Sequence, residues 1–302
     1  MDNNRKIKEK KALRSISNKI GFAYCLTIIS YVLITLLISV DKTKDSLLLL
    51  IQFICFFLIF FLLIKLCPTD SKYITLFKKP KKHFFPYIII GFPLCLLAGF
   101  ITNIVSEFLK NNHVYSLQPD NLSQPNLLFF TVIVAPIVEE FVCRGVILGL
   151  LRKYGDKFAI FISAILFGLI HANIEQFIYA FLIGLYFGFV LIKTKSLWTT
   201  ILLHSFLNAF STFSSLFKDL FQNNLFVILF NAFQLIIILL AIYLFFRYRK
   251  IDSSYFSLTS LSYNKTSLKL SERLITFIFT PGMLLMLAYI VFSFISLGRV
   301  ES

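Results

Sequence analysis

The sequence predicts an all-α, polytopic transmembrane helical bundle of about nine spans (eight to nine), with a cytoplasmic N-terminus. Three observations carry this expectation. Hydrophobic residues make up 58% of the 302 positions and the mean hydropathy is +0.81, whereas soluble domains are usually about 45–50% apolar. Apolar runs long enough to cross a bilayer recur along the whole chain. The basic residues alternate between rich and poor loops, as the positive-inside rule requires.

The runs cover about 20–40, 46–66, 84–108, 126–151, 157–172, 175–193, 196–216, 224–246 and 274–297. The basic start from Arg5 to Lys19 looks like the head of a signal peptide. The apolar run behind it is too long for an h-region and lacks a small-x-small cleavage site, so it reads as the first span. Besides that start, the rich loops hold Lys72, Lys78, Lys79, Lys81 and Lys82, then Arg152, Lys153 and Lys157, then Lys193 and Lys195. The last rich loop holds Arg247, Arg249, Lys250, Lys265, Lys269 and Arg273. The poor loops hold Lys42 and Lys44, then Lys110, then Lys218. The pattern puts the N-terminus inside and the C-terminus outside.

Four segments follow. Residues 1–19 form a basic cytoplasmic N-terminus and 20–108 the N-terminal spans. Residues 126–216 are the core, and 217–302 are the C-terminal spans with a polar, Ser/Thr-rich loop at 251–273. Loop 109–125, with Pro119 and Pro125, is expected to be extracytoplasmic and irregular. The absence of an internal repeat counts against inverted-repeat transporters.

The net charge of +15 is explained by this topology, and no interleaved basic and aromatic surface points to nucleic acid. Cys25, Cys55, Cys67, Cys95 and Cys143 form no CxxC and read as small buried hydrophobes. The abundance of Lys, Asn, Ile and Phe fits a bacterial chain from an AT-rich genome, assigned to the cytoplasmic membrane.

Polar groups inside three of the spans carry the chemistry. The fourth span holds Ala135-Pro136-Ile137-Val138-Glu139-Glu140-Phe141-Val142-Cys143-Arg144-Gly145. An ionised side chain at mid-membrane costs roughly 2.5–3.5 kcal/mol on insertion scales, so three in one run need a reason. Glu140 and Arg144 stand four residues apart, on one helix face, as an ion pair. Glu139 points about 100° away, beside small neighbours. Pro136 frees the carbonyl of Val132 and favours a kink that makes room for water. The alternative is a single structural charge cluster. The fifth span ends Phe167-Gly168-Leu169-Ile170-His171, and the seventh holds His204-Ser205-Phe206-Leu207-Asn208. Taken singly, His171 reads as an interfacial residue, and His204 with Asn208 as helix–helix glue.

Depth joins them. Counted from the cytoplasmic helix ends, Glu139, His171 and Asn208 lie ~20 Å, ~21 Å and ~20 Å deep, and His204 ~14 Å. A poorly solvated carboxylate suits a general base, a neutral imidazole shares the water or binds a metal, and a second His with an Asn offers oxyanion donors. This kit serves peptide hydrolysis by activated water. No Ser or Cys sits at helical spacing from a base, and there is no HExxH.

The three motifs, EExxxR at Glu139–Arg144, FxxxH at Phe167–His171 and HxxxN at His204–Asn208, resemble the CPBP family of intramembrane proteases. That family is also called the CAAX protease and bacteriocin-processing, or ABI, family. The resemblance covers about 126–212 and departs at no key position. It implies a polar cavity in a helical membrane core and endopeptidase activity. Glu139 would be the water-activating base, assisted by His171. Glu140 and Arg144 would support that helix, and His204 with Asn208 would stabilise the oxyanion. If a metal such as zinc is used, Glu139, His171 and His204 are the expected ligands, with an open position for water; no other cofactor is expected. The substrate is a peptide or membrane protein, cut in peptide processing or bacteriocin self-immunity.

Two other readings compete. A non-catalytic immunity or regulatory scaffold would keep the fold without hydrolysis. A proton-coupled transporter would use Glu139 and His171 as a relay. Gly184 and Gly188 form a GxxxG pair expected to admit a close helix neighbour.

Overall fold

The computed structural model describes residues 2–38, 45–67, 78–80, 84–111, 124–216, 220, 222–257 and 266–297. Among the described residues ten helices follow one another and there is no strand. They are α1 (Asp2–Ile38), α2 (Asp45–Leu66), α3 (Phe85–Asn111), α4 (the irregular helical run 124–154), α5 (Asp156–Leu169), α6 (Ile174–Thr194), α7 (Leu197–Leu216), α8 (Asn224–Ile251), α9 (Leu270–Ile278) and α10 (Pro281–Leu297). Most of loop 109–125 and the middle of loop 251–273 lie outside the described residues, as do Lys42, Lys44, Lys72, Lys81, Lys82, Lys218 and Lys265.

This is a multi-pass membrane protein. Among the described residues, five helices are long and apolar enough to cross a bilayer: α1, α2, α3, α6 and α8. A sixth span appears if α9 and α10 count together. α4, α5 and α7, which carry the polar motifs, are not among them. α4 is irregular, α5 has 14 residues, and α7 contains His204 and Asn208.

Two expected segments take a definite shape. The basic segment 1–19 is helical from Asp2 and opens α1, a helix of 37 residues. Leu13, Ile16 and Ile20 on it are buried, so it packs into the protein. At 1.5 Å per residue α1 is ~55 Å long, more than a bilayer needs. The ninth run, 274–297, is not one straight span. It breaks after Ile278, where the two helical pieces meet at 73°. The sequence Thr280-Pro281-Gly282 explains the break. Pro restricts the preceding residue to extended backbone, and then serves well in the first turn of the next helix.

The two chain ends are latched together. α1 lies along α10 and touches α9. A Cβ added at Gly21 would fall 2.2 Å from the backbone of Gly282, so only glycine permits this crossing. The N–H of Gly282 donates to Asn18 Oδ1 at 2.8 Å, and the Ser17 hydroxyl donates to the Phe277 carbonyl. Lys6 and Lys10 hold Glu272 at 2.9 and 3.1 Å, and Glu9 accepts from the backbone of Ser267 at 2.8 Å.

The buried core centres on α4, α5 and α6. α5 and α6 form a tight antiparallel pair joined by the turn 170–173, with Asn173 capping α6 by accepting from the Gln176 N–H at 3.0 Å. The GxxxG pair behaves as expected. A Cβ at Gly184 would come within 3.2 Å of Ala164, and one at Gly188 within 3.1 Å of Ile160.

Candidate active site

α4 is positioned by its own proline. Pro136 has no N–H, so the helical ladder must change register in front of it. Residues Phe130–Val134 form a π-helical turn, and Ala135 donates its N–H five residues back, to the Phe130 carbonyl. The π-register donor for the Thr131 carbonyl would be Pro136. Asn208 on α7 stands in, its Nδ2 donating to that carbonyl at 2.8 Å. The expected kink is thus realised as a π turn braced from the neighbouring helix. Glu139 and Glu140 close the short α-helical piece Ala135–Glu140, and a second π stretch, Phe141–Leu148, carries Arg144.

The two glutamates face different worlds. The side chains of Glu140 and Arg144 are both 0% exposed, and their charges meet at 3.0 Å. Arg144 also donates to the Gly184 carbonyl at 3.3 Å, and its guanidinium lies 4.2 Å from the centre of the Phe167 ring and 5.2 Å from that of Phe187. A buried charge pair persists only when its desolvation is offset by such contacts. His204 completes the knot, with Nδ1 at 3.1 Å from Glu140 Oε1. The carboxylate can only accept here, so neutral His204 carries its hydrogen on Nδ1 and leaves a lone pair on Nε2.

Glu139, by contrast, keeps 14% of its side chain exposed, with Oε2 at 3.8 Å from His204 Nε2. It opens on a cavity of about 250 Å³ that it shares with His171. His171 sits just beyond α5, in a turn that Gly168 makes possible: a Cβ there would fall 2.8 Å from the Phe177 carbonyl oxygen. Ala172, next to it, is held at φ 51°, a conformation a non-glycine residue seldom adopts. The Phe167 ring packs edge-on against both imidazoles, at 5.5 Å from His171 and 5.8 Å from His204.

Helices outside the motifs wall the cavity. α1 supplies Tyr24 and Ile28, α2 supplies Gln52 and Phe56, and α10 supplies Met286 and Ile290. The volume is ample for water and for part of a peptide.

All six residues singled out in the sequence fall in one region. Glu139, Glu140, Arg144 and His204 touch directly, and His171 joins Glu139 across the cavity. Asn208 instead has an amide hydrogen engaged on α4. Among the described residues no three His, Cys, Asp or Glu side chains gather closely enough to share a metal ion, so Glu139, His171 and His204 are not arranged as a ligand set. Sequence reasoning missed Phe187, Tyr24 and Gln52. It singled out Gly184 for close packing but not for the carbonyl that holds Arg144. Such contacts join separate helices, and no local spacing announces them.

Comparison with known proteins places this site. Residues 121–210 match the family described as Type II CAAX prenyl endopeptidase Rce1-like. The chain is 29% identical over 145 residues to the membrane-embedded CAAX protease MroQ of Staphylococcus aureus (strain USA300). That match covers 44% of this chain and 59% of MroQ. It is 27% identical over 130 residues to YdiL of Bacillus subtilis (strain 168); 41% of this chain and 53% of YdiL are covered. The chain thus spans between half and two thirds of the length of these relatives. No solved structure matches significantly.

Proposed function

We propose, from the match of residues 121–210 to the Rce1-like CAAX protease family, that this chain is an intramembrane endopeptidase acting through glutamate-activated water. One observation carries the reading: Glu139 opens with His171 on a cavity while its neighbour Glu140 is sealed into a charge knot. The family description and the name of MroQ support a membrane endopeptidase.

In this reading Glu139 takes a proton from a water held between it and His171, and the resulting hydroxide attacks the substrate carbonyl carbon. The proton passes to His204 Nε2, the nearest base to Glu139. The imidazolium so formed donates to the oxyanion and then returns the proton to the leaving amine. The Glu140 carboxylate, fixed by Arg144, orients His204 by accepting from its Nδ1 side at 3.1 Å. The second N–H of the Asn208 amide is the remaining candidate oxyanion donor. If zinc is bound, Glu139, His171 and His204 are the residues that would hold it, and it would supply Lewis-acid activation of the water.

The substrate is inferred to be a peptide or membrane protein, in peptide processing or bacteriocin self-immunity, and the basic N-terminus is placed in the cytoplasm by the charge pattern. The test is cleavage of peptides in proteoliposomes, with metal analysis of the same preparations. Glu139→Gln and His171→Ala are expected to be folded and inactive. Unchanged cleavage by Glu139→Gln would overturn the reading. Near-stoichiometric zinc lost from both variants would replace direct activation by a metal site. A biological immunity effect that survives both substitutions would favour a scaffold.

A further inference from the structure

Two side chains on helices outside the motifs carry polar atoms with nothing to bond. Tyr24 on α1 is 4% exposed, and its buried hydroxyl has no hydrogen-bond partner. The polar group beside it is the Cys143 thiol, which bonds weakly at best. The Nε2 of Gln52 on α2 is likewise buried and lacks a hydrogen-bond partner. Both residues line the cavity that holds Glu139 and His171.

Other hydroxyls on the same wall behave differently. Thr27 donates to the Ala23 carbonyl at 2.9 Å, and Ser30 to the Thr27 carbonyl at 2.7 Å. Their own helix satisfies them, as is usual for Ser and Thr in apolar helices. Tyr and Gln cannot fold back in this way. A donor left unmade in a buried place pays its full desolvation penalty, so each such group in a native structure calls for an explanation, and a ligand that comes and goes is one.

A bound peptide substrate would supply such a partner. A peptide bond cut inside a membrane must first be drawn out of its helix, which strips the nearby carbonyls of their intrahelical N–H groups. Apart from its polar groups the cavity is apolar, with Ile28, Phe56, Met286 and Ile290 among its walls. An unwound strand lying there meets little water, and its carbonyls need protein donors.

We propose that Tyr24 and Gln52 bind the substrate backbone. The phenol and the side-chain amide each donate to a main-chain carbonyl of an unwound, apolar peptide segment lying across Glu139. The proposal rests on the reading of Glu139 as the base. It gives selectivity through the backbone: the preferred substrates are apolar segments that unwind easily beside the cut, with Gly, Pro or Asn nearby, whatever their side-chain sequence.

The experiment uses the full chain in proteoliposomes and a synthetic single-span peptide chosen because the wild-type protein cleaves it. A parallel series of analogues replaces one peptide bond at a time by a trans-alkene, which keeps the shape and removes the carbonyl. Tyr24→Phe and Gln52→Leu are each expected to raise KM about tenfold, the usual scale for one lost hydrogen bond, with kcat within about twofold. Each loss should disappear with one analogue, a different one for each variant. The unfolding midpoint of Tyr24→Phe should fall little, because the hydroxyl has only the weakly bonding Cys143 thiol beside it. Wild-type KM in both variants would overturn the proposal. So would a lower unfolding midpoint with KM unchanged, which would make these groups structural. If Glu139→Gln is inactive while Tyr24→Phe and Gln52→Leu match wild type, only this inference fails. If Glu139→Gln also cleaves, the assignment of the base fails instead.

Discussion

Glu139 and Glu140 are adjacent in sequence and opposite in circumstance. Glu140 is sealed, paired to Arg144 at 3.0 Å and met by His204 at 3.1 Å. Glu139 is partly open and lacks such a bond, with His204 Nε2 at 3.8 Å. The difference teaches how one helix can give two adjacent glutamates separate settings: one forms a rigid, neutralised platform, and the turn of the helix presents the other, the proposed base, to the cavity. The platform is expensive to build, and its value lies in holding Glu139 and His204 in register.

The sharpest break of this comparison is Glu139→Gln. Removing a general base should lower cleavage by roughly 10²–10⁴-fold while leaving thermal unfolding close to wild type. Glu140→Gln should do the reverse. It leaves Arg144 buried without its counter-charge, a loss of about 3–5 kcal/mol of stability by the usual cost of breaking a buried pair. Residual activity should then follow the folded fraction. Denaturation and cleavage of the same samples check both. Gly188→Leu acts at one remove: it should force α6 off Ile160 and Leu148 and cost about 1–3 kcal/mol through overpacking. A well-expressed, equally stable protein would show that the close approach is incidental. Smallest is Asn208→Ala. Loss of its bond to the Thr131 carbonyl should cost about 1 kcal/mol. Hydrogen exchange at residues 131–136 should rise if Asn208 braces the π turn, and stay unchanged if its task lies wholly in the oxyanion.

Much of this was legible in the chain itself. The i, i+4 spacing gave the Glu140–Arg144 pair, and depth counting brought the three motifs to one level. The GxxxG spacing predicted the close approach of α6. What stayed hidden depends on contacts between distant segments. The Gly21–Gly282 crossing involves residues far apart in sequence, and neither glycine belongs to a motif. Tyr24 and Gln52 look like ordinary polar residues in apolar helices until the fold sets them on the cavity wall. The π turns were also invisible. Pro136 announces a disturbance, but whether the helix kinks or adds a residue depends on a donor such as Asn208 from another helix. The bend before Pro281 could have been read from Thr-Pro-Gly, yet the apolar run around it looked continuous.

The most direct test compares cleavage per folded molecule in Glu139→Gln and Glu140→Gln, each normalised by the amount of natively folded protein in the same proteoliposomes. A lost rate in Glu139→Gln and a substantially retained rate per folded molecule in Glu140→Gln would support the division between reactive and structural carboxylate. Retained cleavage in Glu139→Gln, or its loss only in a fully folded Glu140→Gln, would contradict it.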